Sequence, residues 1–342
     1  IGELEYSLFL ELKEQIMLQS QRLQKTASEI AVLDVLAGWA DLAEHMNYKR
    51  PVLRPMSAER MMDFRSCRHP VIEQIDLGEA FVPNDLQLEQ SGNRIMLITG
   101  PNMAGKSTFM RQVALNVLMA QCGCFVPAEH AEFSMVDRIF TRVGASDNLS
   151  LGQSTFMMEM NEVSAILHNA SNLSLIILDE VGRGTSTFDG ISIAWAIVEH
   201  LHELGSLTLC ATHYHELTEL AQQLAGVVNA SVRVEEDGER IVFLRRISPG
   251  EADKSYGVQV ARLAGLPRGR PTRWTQEGQL PAMERSRAGP AVWRPRVGQA
   301  AGSRHDSGGQ SQPEPTFPVF IRSCISCLDT SDLSEVRPAG QQ

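Results

Sequence analysis

The stretch Gly100-Pro101-Asn102-Met103-Ala104-Gly105-Lys106-Ser107 matches G-x-x-x-x-G-K-[ST], the phosphate-binding loop of nucleoside triphosphatases. The apolar run before it, residues 94–99, predicts a buried strand, and the apolar segment after it, residues 108–120, predicts a helix. The loop therefore lies where backbone N–H groups at the start of a helix can hold phosphate. We expect Lys106 to reach the β- and γ-phosphates and the Ser107 hydroxyl to bind magnesium.

A second apolar run, residues 174–178, ends in two carboxylates, Asp179 and Glu180. In P-loop enzymes an aspartate at such a strand end holds Mg²⁺. The glutamate that follows is then placed to act as general base on the attacking water. Taken alone, the run fits a strand that ends in solvated acids equally well, and the phosphate loop favours the hydrolytic site.

A third apolar run, residues 206–212, is followed by His213. Ligands of open α/β sheets bind at the carboxyl ends of the strands. A lone histidine in this position is typical of a structural residue. Because two other strand ends are predicted to meet at the same edge, we expect His213 to contact the γ-phosphate.

Four segments, in the right order along the chain, resemble motifs of the MutS family of DNA mismatch-repair proteins. They are TGPNMAGKST at 99–108, QSTFMMEM at 153–160, LDEVGRGTST at 178–187 and ATHY at 211–214. The resemblance runs to about residue 266 and is closest to the C-terminal part of bacterial MutS proteins. It implies an α/β fold: an ABC-like P-loop NTPase sheet with flanking helices, preceded by a mainly helical segment.

The resemblance also implies an ATPase that binds ATP and Mg²⁺ in composite sites shared by two subunits. The Ser154 segment is expected to reach the partner's nucleotide, and the loop 182–187 to lie at the interface. Phe81 matches an aromatic residue that stacks on adenine, and Arg245 falls where the family places a residue on its other face. The implied nucleotide contacts are Gly100, Pro101, Asn102, Met103, Ala104, Gly105, Lys106, Ser107, Thr108, Phe81, Ser154 and Arg245. The implied catalytic residues are Glu180, His213 and Lys106, and the implied metal ligands are Ser107 and Asp179.

The resemblance also implies the binding partners of the family. They are a second subunit of the same kind, a MutL-type protein, and mismatched double-stranded DNA held by domains outside this chain. The implied function is an ATP-driven switch of a DNA clamp, in the bacterial cytoplasm at the nucleoid. Two alternatives stay open: a nucleotide-binding interaction module with little hydrolysis, and an ABC- or SMC-like ATPase of DNA maintenance.

Charge divides the chain into an acidic body and a basic tail. Residues 1–266 carry 21 Lys+Arg against 34 Asp+Glu, whereas residues 267–342 carry 10 against 7. The acidic body would repel DNA phosphates, which argues against a general nucleic-acid-binding surface. No run of 18 apolar residues is present, so no membrane span is expected.

Three parts are predicted, with boundaries near residues 50 and 266. In the first, apolar residues recur at helical spacing over 3–46, and Pro51 is expected to end the run. An amphipathic helix pair packed on a core would explain the pattern. The family resemblance implies the same structure and gives it a function, as the end of the lever that links the DNA clamp to the ATPase. The second part, 51–266, is the ATPase domain, and residues 254–257 resemble the start of its C-terminal helix-turn-helix.

The tail 267–342 differs in composition from the rest of the chain. It holds 9 of the 16 prolines, 10 arginines and no lysine, and its apolar residues have no sustained period. This composition predicts disorder. One hypothesis is a shifted reading frame in GC-rich DNA, and the alternative is a basic arm that binds nucleic acid.

Overall fold

A computed structural model describes residues 1–251 of the chain, except 76–77, 79, 103, 144–154 and 238–239. The helices in this part are α1 (Gly2–Leu18), α2 (Ser20–His45), α3 (Lys106–Gln121), α4 (Thr155–Asn169), α5 (Thr187–Leu204) and α6 (Leu220–Gln223). The strands are β1 (Val52–Arg54), β2 (Met61–Cys67), β3 (Asn84–Glu89), β4 (Ile95–Thr99), β5 (His130–Ser134), β6 (Ile139–Arg142), β7 (Leu175–Asp179), β8 (Leu207–Ala211), β9 (Val227–Asp237) and β10 (Arg240–Pro249). The fold is mixed α/β with helices flanking the sheets, as predicted.

The larger sheet has the strand order β10-β9-β4-β8-β7-β6. All its pairings are parallel except the hairpin of β9 and β10. Both faces are covered, since Ile98 packs in one apolar cluster with α3 and Leu97 packs in another with α4 and α5. Burial on both faces explains why the strands are continuous apolar runs in the sequence.

The smaller sheet has the order β1-β5-β2-β3, and its inner face packs on α3. The Phe64 and Phe133 rings stack at the centre of this contact, with 5.4 Å between their centroids. A bulge in β2 follows Phe64, and Ser66 there adopts a left-handed φ of 47°. The bulge re-aims the end of β2 towards α3.

The N-terminal helices α1 and α2 form an exposed arm. They have 17 and 26 residues, as the periodicity predicts, and none of these residues is buried. Leu4, Leu8 and Ile16 are each more than half exposed. Within the described ranges, neither helix therefore contributes to the buried core, and the function of the pair stays a prediction. α2 ends at His45, where Asn47 takes a left-handed φ of 52°, and not at Pro51.

Arg68 joins the foot of this arm to the phosphate-loop helix. Its Nη2 donates to the Met46 carbonyl at 2.9 Å, and its Nε donates to Glu73 at 2.6 Å. Its own carbonyl accepts from Asn116 of α3 at 3.1 Å. The Tyr48 hydroxyl also donates to Glu73, and burial with this carboxylate raises the pKa of Tyr48 to about 12. One buried polar cluster thus connects three segments.

Among the described residues, no helix is both long enough and apolar enough to cross a membrane.

We expect Phe133→Ala to lower the free energy of unfolding by about 3–5 kcal/mol, because it empties a fully buried, stacked position. The matched control is Phe188→Ala, whose side chain is 84% exposed and which should change stability by less than about 0.5 kcal/mol. Guanidinium titration measures both. Equal losses in the two variants would contradict the packing described here.

Candidate nucleotide-binding site

The predicted phosphate loop follows β4, and its last two residues, Lys106 and Ser107, are the first two residues of α3. Gly105 precedes the helix with a left-handed φ of 107°, which disfavours any residue with a side chain. The first turn of α3 therefore directs free N–H groups and the positive end of its dipole at the loop. Lys106 Nζ donates to the carbonyls of Gly100 and Pro101 at 2.7 and 3.1 Å. The Lys106 ammonium group is thus held inside the loop, where it is expected to bind the phosphates.

The carboxylates after β7 lie beside this ammonium group. Lys106 Nζ is 3.8 Å from Glu180 Oε1, and only 4% of the lysine side chain is exposed. Burial lowers the pKa of Lys106, and the charges of Glu180 and Asp179 oppose that shift. Arg183 Nη1 donates to the other Glu180 oxygen at 2.6 Å. Glu180 has a left-handed φ of 52°, which is uncommon for a residue with a long side chain.

Asp179 has the donor chemistry of a magnesium ligand. Its Oδ1 is buried and has no hydrogen-bond partner among the described residues. Burial raises its pKa, while a hydrogen bond from the Ser107 hydroxyl opposes that rise. A carboxylate oxygen without a donor, beside a hydroxyl, offers the hard oxygen ligands that Mg²⁺ takes. The two residues predicted from the sequence to bind the metal therefore fit it.

His213 follows β8, so the third strand end is at the same edge of the sheet. Its ring lies 4.1 Å from the ring of Tyr214, centroid to centroid. Partial burial lowers the pKa of His213 from its ordinary value of 6.5, and the nearby Glu180 acts in the opposite direction. The imidazole is consequently neutral at neutral pH, which leaves it one donor and one acceptor nitrogen.

A cavity of about 690 Å³ opens next to the loop. Its wall includes Gly105 of the loop and Thr108 of α3, and it brings together Phe81 and Arg245, the two residues expected on the faces of a base. The remaining lining residues are Ile72, Glu73, Gln74, Ile75, Gly78, Ala80, Val82, Asn84, Phe109 and Gln112. Phe81 and Arg245 are 164 positions apart in the printed sequence, yet they share this wall.

Asn84 shapes this wall and was not found from the sequence. Its Nδ2 donates to the Arg245 carbonyl at 3.0 Å, and its Oδ1 accepts from the Ile247 N–H at 2.7 Å. These bonds hold a bulge in β10, where the register with β9 shifts after Phe243 and Arg245 has a φ of 54°. No motif marks Asn84. The nearest sequence signal is its place three residues after Phe81.

Most residues predicted for the site lie around this one edge of the sheet. Met103 and Ser154 lie outside the described residues, as do residues 254–257 and the tail 267–342. The segment 182–187 is described, and within it Arg183, Gly184 and Ser186 are exposed. The roles of all these residues, and the boundaries at residues 50 and 266, stay predictions.

Comparison with known proteins agrees with this geometry. The family model of MutS domain V matches residues 96–272, which is more than half of the chain. The chain belongs to the MutS family. It is 55% identical over 268 residues to the DNA mismatch repair protein MutS of Symbiobacterium thermophilum, which covers 78% of this chain and 30% of that protein. The MutS proteins of Acetivibrio thermocellus and Lachnoclostridium phytofermentans are 56% and 57% identical, over 78% and 77% of this chain and 30% and 28% of their own length. The chain thus spans about 30% of the MutS relatives it matches.

We expect Asp179→Asn to raise the melting temperature at pH 7.5 without nucleotide. The folded-state pKa of Asp179 lies above its ordinary value of 3.8, so the folded chain binds more protons than the unfolded chain between those two pH values. Stability therefore falls as pH rises through that interval, and the full cost of the charge is present above it.

Differential scanning fluorimetry across pH measures this gain, at about 2 °C for each kcal/mol in a folded part of about 250 residues. The gain should vanish as pH falls through the raised pKa. Asp34→Asn, on the exposed face of α2, is the control and should not change the melting temperature. A melting temperature that falls in Asp179→Asn at pH 7.5 would contradict the expected cost of burying this carboxylate.

Proposed function

We propose that the chain binds ATP with Mg²⁺ and hydrolyses it, as the ATPase part of a MutS-type mismatch-repair protein. The observation that supports this most is the convergence at the carboxyl ends of β4, β7 and β8. A buried ammonium group, two carboxylates and an imidazole meet there beside a helix N-terminus. Phosphoryl transfer needs this combination, since its catalysis is mostly positioning and charge stabilisation.

Each group has a distinct role in the proposal. The N–H groups at the start of α3 hold the phosphates, and Lys106 neutralises charge on them. Ser107 and Asp179 hold Mg²⁺, which neutralises the charge that develops on the phosphate oxygens. The cavity beside Gly105 takes the adenosine, with Phe81 and Arg245 in its wall.

Glu180 is the proposed base for the attacking water. One oxygen of its carboxylate, Oε2, is paired with Arg183, and the other, Oε1, faces Lys106. Because the Arg183 side chain is 62% exposed, this ion pair is weak and exchanges readily with solvent. His213, neutral at neutral pH, donates a hydrogen bond towards the γ-phosphate without bringing a charge.

The working unit in the proposal is a dimer in which the Ser154 segment and the 182–187 loop contact the partner subunit. The large apolar side chains of Met157 and Phe188, near the starts of α4 and α5, are 54% and 84% exposed, as an interface would require. Mismatched DNA and a MutL-type protein are proposed partners of the whole protein. The arm of α1 and α2 would connect its DNA clamp to the ATPase.

We expect Glu180→Gln to lower kcat for ATP hydrolysis by about 10²–10⁴-fold, which is the contribution of a general base. The amide keeps the size of the side chain, so the dissociation constant for ATP should change little. Coupled-enzyme turnover and titration with a fluorescent ATP analogue measure the two quantities. Glu203→Gln, exposed on α5, is the control. Unchanged hydrolysis in Glu180→Gln would remove this residue as the base.

We also expect Glu180→Gln to accumulate dimers with Mg²⁺ and ATP but not with ADP, because the nucleotide would bridge two subunits without being consumed. Sedimentation velocity should show the 37.8 kDa species converting to one of twice the mass. Adding Lys106→Ala to this variant should abolish the conversion. A chain that binds ATP and stays monomeric would favour the alternative of an interaction module with little hydrolysis.

A further inference from the structure

The peptide groups of Gly182 are held from two sides in the turn after β7. The Gly182 N–H donates to Oε1 of Glu159 on α4 at 2.7 Å. The Gly182 carbonyl accepts from the Tyr214 hydroxyl at 2.9 Å. Glu159, Gly182 and Tyr214 are all buried, so neither bond competes with solvent. Gly182 is thus held by α4 and by the segment that follows β8.

The packing around this glycine leaves no room for adjustment. Gly182 has a left-handed φ of 90°, and a Cβ added there would come within 2.7 Å of the Gly190 carbonyl. A Cβ added at Gly190 would clash with the Tyr214 hydroxyl and come within 2.5 Å of the Gly182 carbonyl. Tyr214 can therefore reach the carbonyl only because position 190 has no side chain.

Glu180 lies two residues before this pinned peptide. Its φ of 52° is a left-handed conformation that is unfavourable for a residue with a Cβ. Such a conformation persists when the surrounding structure over-determines it. The Glu180 N–H donates to the Ala211 carbonyl at 3.0 Å, which fixes the start of the turn. The bonds to Gly182 fix its middle, so together they constrain the backbone from which the Glu180 side chain projects.

Glu159 is one of two carboxylates beside the buried Arg142 side chain. Arg142 is 6% exposed and lies 3.7 Å from Glu159 Oε2, but its Nε lies closer, at 2.9 Å, to Glu162. Glu162 thus already supplies a negative charge to Arg142. The second Glu159 oxygen is the one that accepts from Gly182.

We propose that Glu159 and Tyr214 are positioning residues for Glu180, acting through the Gly182 peptide. The proposal rests on the hydrolytic role proposed for Glu180. Glu159 lies about one helical turn after Thr155, the first residue of α4, and Thr155 directly follows Ser154 in the sequence. A shift of α4 would therefore reach the base of the same subunit through this one hydrogen bond.

The test uses the full chain with Tyr214→Phe, Glu159→Ala and Glu159→Gln. We expect Tyr214→Phe and Glu159→Ala to lower kcat by about tenfold, the equivalent of one lost hydrogen bond of about 1.4 kcal/mol. The dissociation constant for ATP should stay within about twofold, because neither residue lines the phosphate loop or the cavity. Glu159→Gln keeps an acceptor oxygen and should recover most of the rate. Glu162→Gln, which contacts Arg142 but not Gly182, is the matched control and should keep the wild-type rate.

A double-mutant cycle separates positioning from a general loss of structure. If Tyr214 acts through Glu180, adding Tyr214→Phe to Glu180→Gln should lower the residual rate no further. If the hydroxyl only supports the fold, the tenfold loss should recur in that background. Recurrence of the full loss would overturn the proposal.

Hydrogen exchange of a peptide covering residues 180–187 tests whether Glu159 and Tyr214 hold the turn, and it does not depend on ATP turnover. Without nucleotide, exchange should be about tenfold faster in Tyr214→Phe and Glu159→Ala, and unchanged in Glu162→Gln. Unchanged exchange in the first two variants would overturn the proposal. A wild-type chain that hydrolyses no ATP would refute the proposed function instead, and the exchange result would still decide whether Glu159 and Tyr214 hold the turn.

Discussion

The burial of one lysine beside two carboxylates is the constraint on which this structure depends. Charges removed from water are costly unless they are paired and hydrogen-bonded. Lys106 meets that requirement with two carbonyls of its own loop and the carboxylate of Glu180. The start of α3, the end of β7 and the turn after it all have to stay in register for these contacts to form.

Parallel pairing makes this arrangement possible. Strands β4, β7 and β8 are adjacent and run in the same direction, so residues far apart in the sequence finish at one edge. Apolar clusters on both faces of the sheet fix those strands. The carboxyl ends of these strands are polar, and the backbone strain lies there, in the left-handed conformation of Glu180. In each strand, the rigidly packed residues and the polar residues of the site are therefore only a few positions apart.

The sequence predicted the features that depend on local pattern. Apolar runs identified β4, β7 and β8, and helical spacing identified the arm, because burial imposes those periods directly. The shared edge of Lys106, Asp179 and His213 followed from parallel topology. The smaller sheet was not predicted in detail, since its short strands pair across long stretches of chain. Asn84 and Tyr214 were given no role, because their importance depends on which backbone atom each one meets. It could not be predicted whether the apolar faces of α1 and α2 pack against another part of the chain, because periodicity identifies an apolar face and not the surface that it contacts.

The cluster at Arg68 has a mechanical consequence. One guanidinium group bonds the last turn of α2, and the carbonyl of the same residue is bonded by the phosphate-loop helix. At 1.5 Å per residue, α2 is about 39 Å long, so a tilt of about 3° at its foot displaces its far end by about 2 Å. In the proposed ATPase, a movement of α3 that tilted α2 would therefore be enlarged along the arm, and the bonds of Arg68 are the contacts through which it would pass.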